Sequence, residues 1–322
     1  MSDSRSIPSS ISELQSMLAR EEYVSDRALA TSLFLGLRLQ RPVLLEGEAG
    51  VGKTEVAKAV AAALGRSLIR MQCYEGLDVS HAVYEWNYSR QILEIQLMRG
   101  GGELDRRAAT KELFRREFLI ERPILRAIEH DGPPPVLLID ELDRADQEFE
   151  GFLLEMLSDY QVTIPELGTV RASQPPIVLI TSNRTRELHD ALKRRCLYCW
   201  IDYPDFQKEL RIVQIKVPGA SRALSEQATA FVQELRTAEL YKTAGVSETL
   251  DWVAALVALD EDLLTPERIN ETLGILLKNQ EDIQAVRGEP VKAMLDRARH
   301  RGVRMSYAGQ EPTTAWATSS KT

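Results

Sequence analysis

The sequence predicts an α/β domain built on a parallel sheet, followed by a second domain made only of helices. Three observations predict it. Short apolar runs at residues 43–46, 136–140 and 177–181 are separated by helix-patterned stretches, as in a sheet whose strands are buried on both faces. The first run feeds a glycine-rich turn from Gly47 to Thr54 and then the helix-forming stretch 55–64, with Gly65 placed to end it. After Pro204 the pattern changes, and residues 206–300 show helical periodicity without a convincing strand.

In chain order, residues 1–24 form an N-terminal extension with one short helix. Ser10 and Glu13 supply a capping box for the run 11–20. Ser25 is the expected cap of a second helix, in which Leu29, Leu33 and Leu37 recur every four residues, and Arg41-Pro42 stops it. The α/β domain is expected over 25–205. Within it, 67–71 reads as the second strand. Residues 74–102 read as an insertion, with Tyr84, Trp86 and Tyr88 alternating with polar residues. Residues 103–130 read as charged and mostly helical. Pro133-Pro134-Pro135 precedes the strand ending in Asp140-Glu141, and 149–158 reads as a helix. Val162 to Val170 reads as a hairpin loop around Pro165 and Gly168. The run 177–181 leads to Ser182-Asn183-Arg184, a short polar stretch covers 190–195, and a last strand starts at Cys196. The helical domain is expected over 206–303, with breaks at 217–219, near Gly245 and at Thr265-Pro266, where Thr265 caps and Pro266 fits the first helical position. Residues 304–322 read as a small, polar, disordered tail.

Gly47, Glu48, Ala49, Gly50, Val51, Gly52, Lys53 and Thr54 form the phosphate-loop pattern. The glycines let the backbone fold tightly so that its N–H groups point at phosphate oxygens, and the following helix adds its positive end. Lys53 can reach the β- and γ-phosphates of ATP, and the Thr54 hydroxyl can hold Mg²⁺. Asp140 ends an apolar strand at the same sheet edge and would hold the metal with Thr54. Glu141 would polarise the attacking water. Asn183, after the next strand, can position that water or read the γ-phosphate. Arg194 and Arg195 end a short helix. They serve either as a basic helix terminus or as an arginine finger to a neighbouring subunit's γ-phosphate.

These motifs resemble those of an AAA+ ATPase, and more narrowly the MoxR group. The resemblance spans roughly residues 20–290 and includes Leu35 to Glu55, the insertion at 74–97 and the second insert at 162–170. The wording Tyr74-Glu75-Gly76-Leu77-Asp78 and Tyr84-Glu85-Trp86-Asn87-Tyr88 is similar to the CoxD-like branch, associated with carbon monoxide dehydrogenase maturation. The resemblance implies a P-loop core with a five-stranded parallel sheet, order 5-1-4-3-2 in core-strand numbering, an all-helical lid and a homo-oligomeric ring, usually a hexamer. It also implies a protein client, a partner with a von Willebrand factor A (VWA) domain, and maturation of a molybdenum–copper enzyme by metal or sulfur insertion. The sequence departs from the group at the lid: Thr249, in Gly245-Val246-Ser247-Glu248-Thr249-Leu250, stands where a nucleotide-sensing arginine is usual. Arg195 is taken as the finger, because in this family the finger sits directly before the last strand.

Composition limits the alternatives. The chain has 322 residues, is 44% hydrophobic and carries a formal net charge of −8. The acidic balance argues against non-specific nucleic-acid binding, and the inserts carry Glu85, Glu94, Glu103 and Glu166 beside few cations. No apolar run approaches the ~18 residues that span a bilayer, and the N-terminus lacks the layout of a signal peptide, so a cytoplasmic protein is expected. Cys196 and Cys199 read as core cysteines, since the odd offset places them on opposite faces of a strand. The four histidines show no ligand spacing for zinc. Two functions other than a remodelling chaperone stay open: a ring-forming DNA motor of the helicase type, and a nucleotide-gated scaffold with little turnover. Tyr84, Trp86 and Tyr88 either pack as a hairpin face or line a ring pore.

Overall fold

The computed structural model describes residues 6–99 and 112–308, which fall into two compact units, the first up to Asp202 and the second from Tyr203. Among the described residues nine strands run in chain order: β1 Val43–Glu46, β2 Leu68–Gln72, β3 Tyr84–Trp86, β4 Leu119–Glu121, β5 Val136–Asp140, β6 Gln161–Ile164, β7 Gly168–Arg171, β8 Ile177–Ser182 and β9 Leu197–Trp200. Five of them form one parallel sheet of order β2-β5-β8-β1-β9. With these five numbered 1 to 5 along the chain, this is the expected order 5-1-4-3-2. The apolar runs become strands because they are buried on both faces: every residue of β1 and β5 is buried. Leu44, Ile139, Ile180, Phe149 and Leu153 belong to the core of this unit. The sheet sets β1, β5 and β8 side by side, so the segments leaving their C-terminal ends meet at one carboxyl edge.

The inserts form two small antiparallel pairs. β6 and β7 pair across Pro165 and Gly168, as the turn residues predict. β3 pairs with β4, with Tyr84 opposite Glu121 and Trp86 opposite Leu119. This corrects the expectation of a mostly helical stretch over 103–130. Residues 119–121 are strand because β3, far away in the chain, offers them an edge, and helix Pro123–Ile128 comes next. Residues 103–111 lie outside the described residues. Trp86 is buried and stacks edge-on with Tyr84 and Phe114, whereas Tyr88 is exposed at the start of helix Tyr88–Arg99. The packing reading thus describes Tyr84 and Trp86.

Two caps differ from expectation. Asp26, not Ser25, begins helix Arg27–Leu39, its carboxylate accepting from the Leu29 amide at 2.8 Å. At Ser10 the hydroxyl accepts from the Glu13 amide, but Glu13 reaches back to Ser9, one residue earlier than a capping box requires.

The second unit contains six helices and no strand among the described residues. Thr265 and Pro266 start the fourth as expected. Its core includes Phe231 against Trp252, whose indole donates to Thr272 Oγ1 at 2.8 Å. The last helix, Glu289–Ala308, runs through residues 304–308, which were expected to begin the tail. The rest of that expected tail lies outside the described residues. Thr249 is wholly buried, donating to Glu209 Oε1 at 2.8 Å and to Gly245 O at 3.0 Å. Arg236 forks onto both oxygens of buried Glu209 at 2.6 Å each, and Gln233 donates to the same carboxylate. A threonine stands at the departing position because the site lies inside this helical core, where a hydroxyl satisfies a buried carboxylate.

Candidate functional site: a phosphate loop at the carboxyl edge of the sheet

β1 delivers Gly47 directly against the chain after β9. A Cβ at Gly47 would lie 2.1 Å from Ile201 O, so no other residue fits without moving that backbone. Gly52 has φ 93° and caps helix Lys53–Leu64 from the left-handed region, which favours glycine. Between them the loop closes on Lys53, whose ammonium donates to Gly47 O at 2.7 Å and Glu48 O at 2.6 Å. Burial lowers the Lys53 pKa, while Asp143, Glu48, Asp140 and Glu141 act in the opposite direction. The cation is thus held in the loop by backbone carbonyls that a phosphate oxygen can replace. Among the predicted loop residues, Glu48 and Ala49 are exposed and Val51 is buried against Gly47.

Thr54 opens the same helix and meets Asp140 at the end of β5. Its hydroxyl donates to Asp140 Oδ1 at 3.1 Å. Asp140 is almost fully buried and accepts two further donors that sequence patterns do not reveal: Thr181 Oγ1 at 2.6 Å and Arg70 Nε at 2.9 Å. One hydroxyl and one carboxylate beside a phosphate loop fit Mg²⁺, a hard ion that takes few protein oxygens and completes its shell with phosphate and water. No group of three or more His, Cys, Asp or Glu able to hold a metal occurs among the described residues.

Glu141 comes next with φ 56°, a left-handed conformation that turns its side chain out of the strand direction. Its amide is fixed by Thr181 Oγ1 at 2.8 Å. Its carboxylate accepts from Gln72 Nε2 at 2.9 Å, pairs with Arg144 at 3.0 Å, and lies 3.4 Å from Asn183 Nδ2. Glu141 and Asn183 therefore share one place. Asp143 builds that meeting: it is buried, and its carboxylate accepts from the Asn183 amide at 3.1 Å, the Thr185 amide at 2.9 Å and the Thr185 hydroxyl at 2.7 Å. Burial pushes the Asp143 pKa up, but the Thr185 and Asn183 hydrogen bonds outweigh it and hold the group below its ordinary value.

Arg194 and Arg195 end helix Asp190–Arg195, and both are exposed. Arg195 Nε donates to Ser158 Oγ at 2.9 Å. Arg41 pins this helix end by donating to the carbonyls of Arg194 at 2.8 Å and Arg195 at 3.2 Å. Cys196 and Cys199 are both buried, as expected of core cysteines.

Residues 42–196 match the model of the AAA domain, dynein-related subfamily. Residues 42–196, just under half of the chain, are thus similar to an AAA ATPase domain, and that similarity supports ATP binding and hydrolysis. The chain is 25% identical over 283 residues to an uncharacterised protein of Staphylococcus haemolyticus, covering 84% of this chain and 97% of that protein. An uncharacterised Staphylococcus aureus protein is 24% identical over 259 residues, covering 77% and 89%. Among solved structures, a candidate ATPase from Cytophaga hutchinsonii aligns with a TM-score of 0.43 and 17% identity over 90% of this chain and 93% of that one. The RuvB Holliday junction branch migration motor of Thermotoga maritima aligns with 0.44 and 16% over 86% and 74%. No described helix is long and apolar enough to cross a membrane.

Proposed function

We propose that the chain is a ring-forming ATPase of the MoxR type that remodels or matures a partner protein. The observation that carries this reading is how the site is divided. Lys53, Thr54, Asp140, Glu141 and Asn183 gather at one sheet edge, while Arg195 is exposed at a helix end fixed by Arg41 and turned to Ser158. A guanidinium so placed suits the nucleotide site of a second copy, and hence a ring, taken as a hexamer.

In that reading Gly47, Gly50 and Gly52 shape the loop, Lys53 leaves its carbonyls for the β- and γ-phosphates, and Thr54 and Asp140 hold Mg²⁺. When bound, Mg²⁺ neutralises charge on the phosphates. Glu141 accepts a proton from the attacking water while Asn183 orients it, and Arg195, with Arg194 beside it, stabilises charge developing on the neighbour's γ-phosphate. Arg236 and Glu209 satisfy each other inside the helical unit, so lid sensing through the Thr249 position is not part of this reading.

The inserts support a protein client over DNA. Helix Tyr88–Arg99 exposes Tyr88, Ile92, Leu93 and Leu97, and Glu166 sits at the exposed tip of the β6–β7 hairpin. Apolar and acidic surface suits a polypeptide better than a phosphate backbone. The CoxD-like wording at 74–78 and 84–88 supports a cytoplasmic maturation role for a carbon monoxide dehydrogenase-like molybdenum enzyme, with a VWA-domain partner.

The test uses Glu141→Gln loaded with ATP. Native mass measurement is expected to show a ring, and nucleotide-dependent capture from the native host is expected to recover a VWA-domain protein. Salt-dependent binding to duplex DNA would favour the DNA motor instead. A wild-type chain that captures its partner without turning over ATP would favour the scaffold.

A further inference from the structure

Arg70 and Gln72 lie two residues apart on β2 and share its exposed face, while Ile69 and Met71 enter the core on the other. In the β2–β5 register Gln72 stands opposite Asp140. Arg70 reaches across: Nε donates to Asp140 Oδ2 at 2.9 Å, and Nη2 lies 2.7 Å from the same oxygen. Nη2 also donates to Gln72 Oε1 at 2.6 Å, and Gln72 Nε2 donates in turn to Glu141 Oε2 at 2.9 Å. One guanidinium thus touches the proposed metal carboxylate and, through one amide, the proposed base.

Asp140 is crowded in this arrangement. A carboxylate offers about four lone-pair directions. Thr54 and Thr181 take Oδ1, and Arg70 takes Oδ2 through Nε, with its Nη2 at ion-pair distance of 2.7 Å. A cation or its bound water needs one of these places. Thr181 is buried and also fixes the Glu141 amide, and Thr54 is part of the site the cation enters. The Arg70 side chain is 51% exposed, so it can swing into solvent at little cost, and its positive charge repels an incoming cation.

We infer that Arg70 is a positioning residue that occupies Asp140 in place of the metal, held there by Gln72, and yields it when Mg²⁺–nucleotide binds. The inference rests on the reading of Asp140 and Thr54 as the Mg²⁺ ligands.

The experiment measures binding of a fluorescent ADP to the full chain as Mg²⁺ is titrated, without turnover. Arg70→Ala is expected to lower the Mg²⁺ concentration at half-maximal affinity about five-fold, the size of a partly exposed ion pair. Arg70→Lys keeps the charge but loses the fork, so it is expected to lower the midpoint by less than Arg70→Ala. Gln72→Ala removes one anchor of Arg70, so it is expected to lower the midpoint by less, and to do nothing further in an Arg70→Ala background. An unchanged or raised midpoint in Arg70→Ala overturns the competition. No drop with Gln72→Ala, or equal drops in both backgrounds, overturns the role of Gln72 as an anchor of Arg70. Thr54→Ala and Asp140→Asn test the underlying reading separately: if neither weakens the Mg²⁺ dependence, the assignment of the metal ligands fails whatever Arg70 does. Circular dichroism melting of each variant shows that the fold is intact, as expected for a half-exposed side chain.

Discussion

Lys53 rests on the carbonyls of Gly47 and Glu48. Removing it should leave the loop folded, since glycine geometry and the helix start set its shape. Lys53→Ala is expected to weaken ATP binding roughly ten- to hundred-fold, the weight of one or two charge-assisted hydrogen bonds. Calorimetric titration reads this directly, and unchanged affinity would remove Lys53 from the phosphate site. Glu141→Gln keeps the shape and removes the proposed base. It is expected to bind ATP and lose ~10²–10⁴ in turnover, and turnover within about two-fold of wild type would exclude that role. The phosphate loop, Asp140-Glu141 and Asn183 are legible in the sequence because each lies in a short local pattern. Arg70, Gln72, Thr181 and Asp143 are not, because they reach the site by cross-strand register and loop contacts spanning tens of residues. An acid three residues after Asp140 reads in sequence as ordinary loop polarity.

At the scale of elements, two carboxylates act as joints. Asp143 ties the end of β5 to the turn after β8, and so sets where Asn183 stands. Asp143→Ala strands the Asn183 and Thr185 amides and is expected to lower kcat while leaving nucleotide affinity near wild type. Equal losses in both would mean that the turn also shapes the binding loop. Because the Asp143 carboxyl is held below its ordinary value, its contribution to stability is fully present above the unfolded carboxylate pKa, and is lost as pH falls through the lowered folded value. In the helical unit Glu209 joins Arg236, Gln233 and Thr249. Arg236→Ala leaves a buried carboxylate without its cation and is expected to destabilise this unit by about 3–5 kcal/mol. Urea unfolding followed by the fluorescence of buried Trp252 measures it, and a loss below about 1 kcal/mol would show that water satisfies Glu209 instead. The strand β4 and the Asp26 cap show why elements are only partly legible. Three residues form a strand only because β3 is present, and adjacent Ser25 and Asp26 are equivalent caps until the chain direction entering the helix is known.

At the scale of the whole molecule, Arg195 is the residue proposed to join one copy to the next. Arg41 fixes the end of helix Asp190–Arg195, so the exposed Arg195 is presented from a rigid support. Its planar charge would act mainly in the transition state, so Arg195→Ala is expected to bind ATP normally and lose ~10³–10⁵ in rate. The most direct test mixes two inactive proteins, Glu141→Gln and Arg195→Ala, under conditions where subunits exchange. In mixed rings some sites join an intact Glu141 to an intact Arg195 from the neighbour. The account predicts that ATP hydrolysis reappears on mixing and rises to a maximum at intermediate ratios. Mixed rings verified by native mass measurement that stay inactive at every ratio would contradict it.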